Sequence, residues 1–214
     1  LTAHMWQAGS RCCSLEDINQ ARQVAAFLGI PHYVVNALAI FGAEVVDPFL
    51  QEYAAGRTPS PCVRCNAAVK FGLLLDRARQ LGCAGLATGH YARLETRADG
   101  IHLRKADDPA KDQSYYLHRL TQAQLQHALF PLAGWKKAAV QAYARDRGLP
   151  ACQRAESQDL CFVAPGKLVE FLEARRPDLP RPGPIDTDSG RQGLTASRRG
   201  RRFRRRLQAA GPRI

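Results

Sequence analysis

Apolar residues recur at every third or fourth position in several stretches of this chain, a period that predicts amphipathic helices. In "SLEDINQARQVAAFLGI" the stripe is Ile18, Ala21, Val24, Ala25 and Leu28. Ser14 can cap that helix, Asp17 completes a capping-box pattern, and Gly29 stops it. A second helix is expected over 37–54. "NAAVKFGLLLDRARQLG" (66–82) carries Phe71, Leu74, Leu75, Ala78 and Leu81 at helical spacing, with Gly82 at its end. "TQAQLQHAL" (121–129) and "KKAAVQAYARDRGL" (136–149) read as helices, the second with Trp135, Ala139, Ala142 and Tyr143 on one face. "PHYVVN" (31–36) is a short β-branched run, which predicts a buried strand, and "AGLATGHY" (84–91) reads as a strand ending in a Gly-His turn. Strand and helix alternate here. That pattern predicts an α/β fold on a parallel sheet, with sites at the strand ends.

Residues 97–113 read as a hairpin running into the polar loop "DDPAKDQS". "PGKLVEFLEARRPDLPRPGPI" reads as a short helix followed by a proline-rich connector, a plausible boundary. The expected division is a catalytic-type α/β domain over 1–163, a linker or start of a second domain over 164–190, and a disordered arginine-rich tail over 191–214.

Composition changes this picture only a little. The chain has 214 residues, 45% of them hydrophobic. That is enough for a core and excludes disorder throughout. No apolar run is long enough to span a bilayer, so no membrane partner is expected, and no secretory signal is visible. The net charge is +12, but nine arginines and no acids follow Ser189, so the body is only mildly basic. Seven cysteines in a chain of this size point to a reducing cytoplasm and not to a disulfide framework.

The cysteines carry the candidate chemistry. In "TPSPCVRCN" (58–66), Cys62 and Cys65 form a Cys-x-x-Cys pair behind two prolines. A zinc knuckle needs a second pair or matching histidines, and neither is present: Cys12 and Cys13 are adjacent, while Cys83 and Cys152 stand alone. A redox pair needs a helix N-terminus to stabilise a thiolate, and Cys65 falls at a predicted helix start. Spacing alone leaves structural and functional roles open. Cys161, in "ESQDLCFV", reads by itself as a buried strand cysteine. His90 in "TGHY" reads as a structural histidine bonded to backbone, and "KDQSYY" as a polar loop.

Taken in order, "CCSLEDINQARQVAAFLGIPHYVVN", "GRTPSPCVRCNAAVKFG", "LATGHYAR", "KDQSYYLHRLTQAQLQHALFPL" and "ESQDLCFV" closely resemble the bacterial and organellar tRNA-specific 2-thiouridylases, from residue 12 to about 185. The resemblance implies an adenine-nucleotide hydrolase-like fold, of the PP-loop ATPase type, followed by a central domain and a β-barrel. It implies ATP-dependent transfer of sulfur to C2 of the wobble uridine of tRNA, in the cytoplasm. Cys161 matches the cysteine that carries a persulfide, received from a sulfur-relay protein. Cys65 matches the nucleophile that resolves it, leaving a Cys65–Cys161 disulfide. Gly89 matches an ATP contact, with Mg2+ as the expected companion ion. Lys111, Asp112 and Gln113 match a tRNA-contacting segment. Ser60, Pro61 and Cys62 match the segment that meets the target base. The tRNAs implied are those for Glu, Gln and Lys.

Three departures qualify those expectations. The family's Ser-Gly-Gly-x-Asp-Ser phosphate loop has no counterpart in this sequence, "LTAHMW" resembling the family's second strand; impaired ATP use is expected. Past "PGPIDTD" the resemblance stops and arginines take over, as a frameshifted reading would produce. Many family members have Asp where this chain has Cys62. Cys62, Cys65 and Cys161 together could then ligate a [4Fe–4S] cluster, the alternative to the persulfide route. Two rival readings are a nonenzymatic RNA-binding fragment using the Arg198–Arg206 cluster, and a metal-binding domain built on the same three cysteines.

Overall fold

The computed structural model describes residues 2–4, 15–150 and 160–178. The Ser14 cap, the "ESQD" run, the connector past 178 and the arginine tail lie outside the described residues.

Strand β1 (Thr2–His4) leads to helix α1 (Leu15–Phe27), then to β2 (Val34–Asn36), which pairs parallel with β1. The helix that follows, α2, runs without a break through Leu38–Phe41, a π-helical stretch Gly42–Val46, and Asp47–Ala54. Helix α3 likewise joins Pro61–Arg64, a π-helical stretch Cys65–Leu74, and Leu75–Gln80. Strand β3 (Leu86–Ala87) follows, then an antiparallel hairpin of β4 (Ala92–Arg97) and β5 (Gly100–Lys105), and a 3-10 turn at Ser114–Tyr116. Short helix α4 (Gln122–Leu125), strand β6 (Ala128–Leu129), α5 (Lys137–Asp146) and α6 (Leu168–Arg175) complete the described elements. β3 pairs parallel with β6, Leu86 facing Ala128.

The alternation and the parallel pairing match the sequence reading. Among the described residues the parallel strands form two two-stranded pairs. Five elements differ from expectation. β2 is not the buried strand its β-branched run predicts: Val34 is 44% exposed and Asn36 is exposed, with only Val35 turned partly toward the core. The hairpin occupies 92–105 and not 97–113. The helix expected over 121–129 ends at Leu125, and Ala128–Leu129 join β3 as a strand instead. The helix expected from 66 begins at Pro61: the proline lacks only an N–H that the first turn leaves unbonded anyway, and its ring pre-sets the helical φ. The α5 stripe pairs Trp135 with Tyr143, ring centroids 5.7 Å apart, but no residue of α5 is buried.

Two clusters make the core. The larger joins α2, α3 and α6 through Phe41, Val45, Phe49, Val69, Phe162 and Leu172; the smaller joins Phe71, Ala92, Leu117, Ala128 and Phe130. Leu86 on β3 packs against both. Beside it, a Cβ at Gly85 would lie 2.5 Å from the His127 carbonyl oxygen, so only glycine allows β3 to approach β6 this closely.

A π-helical stretch widens the turn and weakens the carbonyl bonding of an ordinary helix, and it tends to mark functional sites. In α3 the Gln124 side chain meets that need. Its Nε2 donates to the Ala67 carbonyl at 2.9 Å and the Phe71 carbonyl at 3.0 Å. Its Oε1 accepts from Thr121 N at 3.0 Å, closing a capping box in which Thr121 Oγ1 accepts from Gln124 N. Gln124→Ala is expected to lower stability by about 1–3 kcal/mol, seen as a lower urea midpoint with unchanged slope. An unchanged midpoint would mean that the two carbonyls do not need this donor.

Candidate functional site

Ser60 has extended backbone (φ −102°, ψ 94°), and Pro61 takes the first helical position of α3. Cys62 therefore sits in the first turn, where the N–H groups point their partial positive charge, while Cys65 falls a turn later. This corrects the expectation that Cys65 lies at the helix start; the dipole favours a thiolate at Cys62. Cys62 is half-buried and close enough to Tyr116 to act on it. The Tyr116 phenol is pushed up chiefly by burial, then by its bond with Tyr115, then by charge at Cys62.

Cys65 is buried within the larger core, among residues of α2, α3 and α6, and Cys161 packs against the same cluster from its edge. The segment carrying Cys161 is a turn, not the strand expected from its apolar neighbours. Phe162 fixes that turn. Its ring meets Phe41, Phe49 and Phe171 edge-on, with centroids 5.7, 5.2 and 5.5 Å away. Val163 beside it is also buried. Two cysteines distant in sequence thus border one core, and aromatic packing supplies the anchor.

A second group of expected residues gathers beyond α3. Gln113 N donates to the Tyr91 carbonyl at 2.8 Å, and Gln113 Oε1 accepts from Tyr91 N at 3.1 Å. Asp112 Oδ1 accepts from Ala106 N at 3.0 Å, and Oδ2 accepts from the Ser114 hydroxyl at 2.8 Å. Asp112 and Gln113 thus brace the loop against the hairpin, and half-buried Lys111 is the cationic member of the three. Asn66 links this group to the cysteines: its Nδ2 donates to the Tyr116 carbonyl at 3.1 Å. Asn66 is 2% exposed, and its Oδ1 has no hydrogen-bond partner among the described residues. The sequence reading passed over Asn66, although a polar residue in the buried phase of a helix is a visible signal.

Gly89 is exposed on the loop after β3, and a Cβ there would meet only Leu132 Cδ1 at 3.9 Å. The position fits close approach by a ligand edge. The fold itself does not require glycine there. Next to it, His90 is buried between Phe71 and Phe130 and shares a 2.8 Å hydrogen bond with Thr88 Oγ1, not with backbone as expected. Burial, aided by the Lys70 charge, pushes its imidazole down to about 3. The folded state holds it neutral while the unfolded chain protonates it below its ordinary value, so this stability is present above pH 6.5 and is lost as pH falls toward 3. From pH 7 to 5 the loss attributable to His90 is expected to be about 2 kcal/mol. The urea midpoint should therefore fall less with acidification in His90→Asn than in the wild type. Equal falls would contradict a buried, neutral imidazole.

A family model described as the tRNA methyl transferase HUP domain matches residues 2–165. The tRNA-specific 2-thiouridylase MnmA of Geobacter metallireducens is 54% identical over 166 residues, covering 77% of this chain and 45% of the relative. The chain belongs to the tRNA-specific 2-thiouridylase family. The MnmA proteins of Geotalea uraniireducens (52% over 176 residues; 82% of this chain, 47% of the relative) and Thermus thermophilus (49% over 179 residues; 84% and 47%) are further relatives. The chain spans about half the length of the curated 2-thiouridylases it matches. Its α/β content and parallel strand pairs fit the HUP architecture of the family.

The iron–sulfur alternative is not favoured in this member of the 2-thiouridylase family. Among the described residues no three His, Cys, Asp or Glu side chains gather to hold a metal ion, so Cys62, Cys65 and Cys161 do not form the alternative ligand set. Cys62 lies on the Tyr116 side, whereas Cys65 and Cys161 belong to the core cluster. No described helix is long and apolar enough to cross a membrane.

Proposed function

We propose that this chain carries the thiol centre of a tRNA 2-thiouridylase, with Cys161 as the persulfide carrier and Cys65 as the resolving nucleophile. The observation that supports this most is the shared core: Cys65 buried within it, Cys161 at its edge on a turn held by Phe162. The family model's description speaks of methyl transfer and the relatives' name of thiolation. Two cysteines brought to one cluster suit sulfur transfer, in which one thiol carries the sulfur and the other closes a disulfide.

In the proposed sequence a sulfur-relay protein gives one sulfur to Cys161. The terminal sulfur of that persulfide attacks C2 of the wobble uridine of a Glu, Gln or Lys tRNA. ATP with Mg2+, for which Gly89 would be a contact, would adenylate the C2 oxygen with release of pyrophosphate, so that AMP leaves carrying that oxygen when sulfur attacks. Cys65 thiolate then attacks Cys161 Sγ, breaking the persulfide bond, leaving sulfur on C2 and forming the Cys65–Cys161 disulfide. A thiol reductant resets the pair. Ser60, Pro61 and Cys62 meet the base, which must leave its stack to be reached. Lys111 contributes charge toward the RNA, and Asp112 and Gln113 shape the loop that presents it.

The test is direct. The chain is incubated with inorganic polysulfide and its intact mass followed, then with an unmodified Glu tRNA transcript, ATP and Mg2+, with the nucleosides of the tRNA analysed. One added sulfur on Cys161 that passes to uridine supports the proposal. Sulfur acquired on Cys83 or Cys62 in place of Cys161 would overturn it.

A further inference from the structure

Beside the first turn of α3 lies a cleft of about 250 Å3 that the thiol chemistry does not use. Its floor is apolar, built from Pro48, Phe49, Pro61 and Val63. Its rim is cationic: Arg64 from α3, with His118 and Arg119 from the segment after the 3-10 turn. Glu52 also lines the cleft, but Arg57 takes its carboxylate, donating from Nε to Oε2 and from Nη2 to Oε1 at 2.9 Å. Arg64 and Arg119 have no carboxylate partner among the described residues. His118 is oriented by a hydrogen bond from its Nδ1–H to the Tyr115 carbonyl, 2.9 Å away, which leaves Nε2 for a ligand.

Arg64 also feels the Glu52 charge, but with Arg57 holding that carboxylate, two guanidinium groups on different elements line one hollow with no carboxylate bonded to either, an arrangement that recognises an anion. The half-buried prolines Pro48 and Pro59 add an apolar surface on which a base or ribose can lie, so the complement is a nucleotide within a single-stranded RNA, not a bare phosphate. We infer that this cleft holds the nucleotide next to the target uridine, its phosphate between Arg64 and Arg119. The inference rests on the proposed function through Ser60 and Pro61, which line the cleft and belong to the segment proposed to meet the target base. Each arginine then acts twice, neutralising a phosphate and fixing the register in which the uridine reaches the thiols.

The test uses the full chain and an anticodon stem-loop RNA with 4-thiouridine beside the wobble uridine. After irradiation and tryptic digestion, the crosslink is expected on the peptide 58–64 that ends at Arg64. In parallel, anisotropy titrations over a salt series compare the wild type with Arg64→Ala/Arg119→Ala. The double variant should bind about tenfold or more weaker, with the slope of log K against log salt reduced by about 0.7, since the two arginines share one phosphate. Lysine at both positions should restore part of each, and Arg77→Ala, at the far end of α3, should change neither. Crosslinks confined to the arginine tail would overturn the inference, as would an unchanged slope in the double variant or an equal loss in Arg77→Ala. Persulfide loading of Cys161 needs neither arginine. If loading persists while the RNA results fail, the cleft is wrong and the thiol centre stands; if loading fails, the thiol centre is wrong whatever the RNA results.

Discussion

Cys161→Ser is expected to bring sulfur transfer to background, a loss of at least about a thousand-fold, because a serine hydroxyl cannot carry a persulfide. The substitution should leave the fold intact. Cys161 lies at the edge of the core, where an added hydroxyl reaches solvent, so the urea midpoint should stay close to the wild-type value. Cys65 is the opposite case. It is 8% exposed within the apolar core cluster, so Cys65→Ser buries a more strongly hydrated group there and is expected to cost about 1–3 kcal/mol. Cys65→Ala avoids that cost and is the better probe. It should still acquire one sulfur on Cys161 from polysulfide, yet fail to complete transfer and form no internal disulfide. The two variants therefore separate the roles: neither transfers sulfur, but only Cys65→Ala loads it. If Cys161→Ser loads sulfur as the wild type does, the carrier lies elsewhere.

The second large effect is structural. Phe162→Ala removes a ring that is 3% exposed and meets three other aromatic rings. Loss of the buried area, with the cavity it leaves, is expected to cost about 3–5 kcal/mol. Because Phe162 adjoins Cys161, the damage should reach the chemistry too. The turn would lose its anchor, and the rate of Cys65–Cys161 disulfide formation should fall more than stability alone explains. Phe171→Ala is the comparison. It contacts the same ring cluster, at 5.5 Å from Phe162, but lies on α6, outside the turn that carries Cys161. It should lower stability while leaving disulfide formation in the folded protein nearly unchanged. Equal slowing in both variants would mean that Phe162 acts only through global stability.

Much of this was legible in the sequence, and the exceptions have physical causes. Helices α1 and α2 and strand β2 follow from period and stop signals, since each has one clearly apolar face or run. β6 was hidden because Ala128 and Leu129 continue the helical spacing of "TQAQLQHAL"; only pairing with β3, a tertiary event, makes them a strand. The start of α3 was hidden because two prolines read as a loop, although Pro61 suits a first helical turn. That shift moved the dipole argument from Cys65 to Cys62. The order of five motifs named the cysteines, but nothing in the composition foretold what holds them near one another. That depends on Phe162 meeting rings from α2 and α6, a contact between distant parts of the chain. Gln124 and Asn66 were passed over for the same reason: each side chain bonds to backbone far away in sequence, at Ala67 and Phe71 or at Tyr116.

The meeting of Cys65 and Cys161 can be measured without tRNA or ATP. Folded chain is oxidised briefly with diamide at low protein concentration, remaining thiols are blocked, and the peptides are mapped by mass spectrometry. A linked pair joining Cys65 to Cys161 is expected as the main product, forming faster than any link to Cys83 and more slowly in Phe162→Ala. Oxidation that instead joins Cys62 to Cys65, or scatters among the cysteines with Cys161 left reduced, would contradict the shared thiol centre.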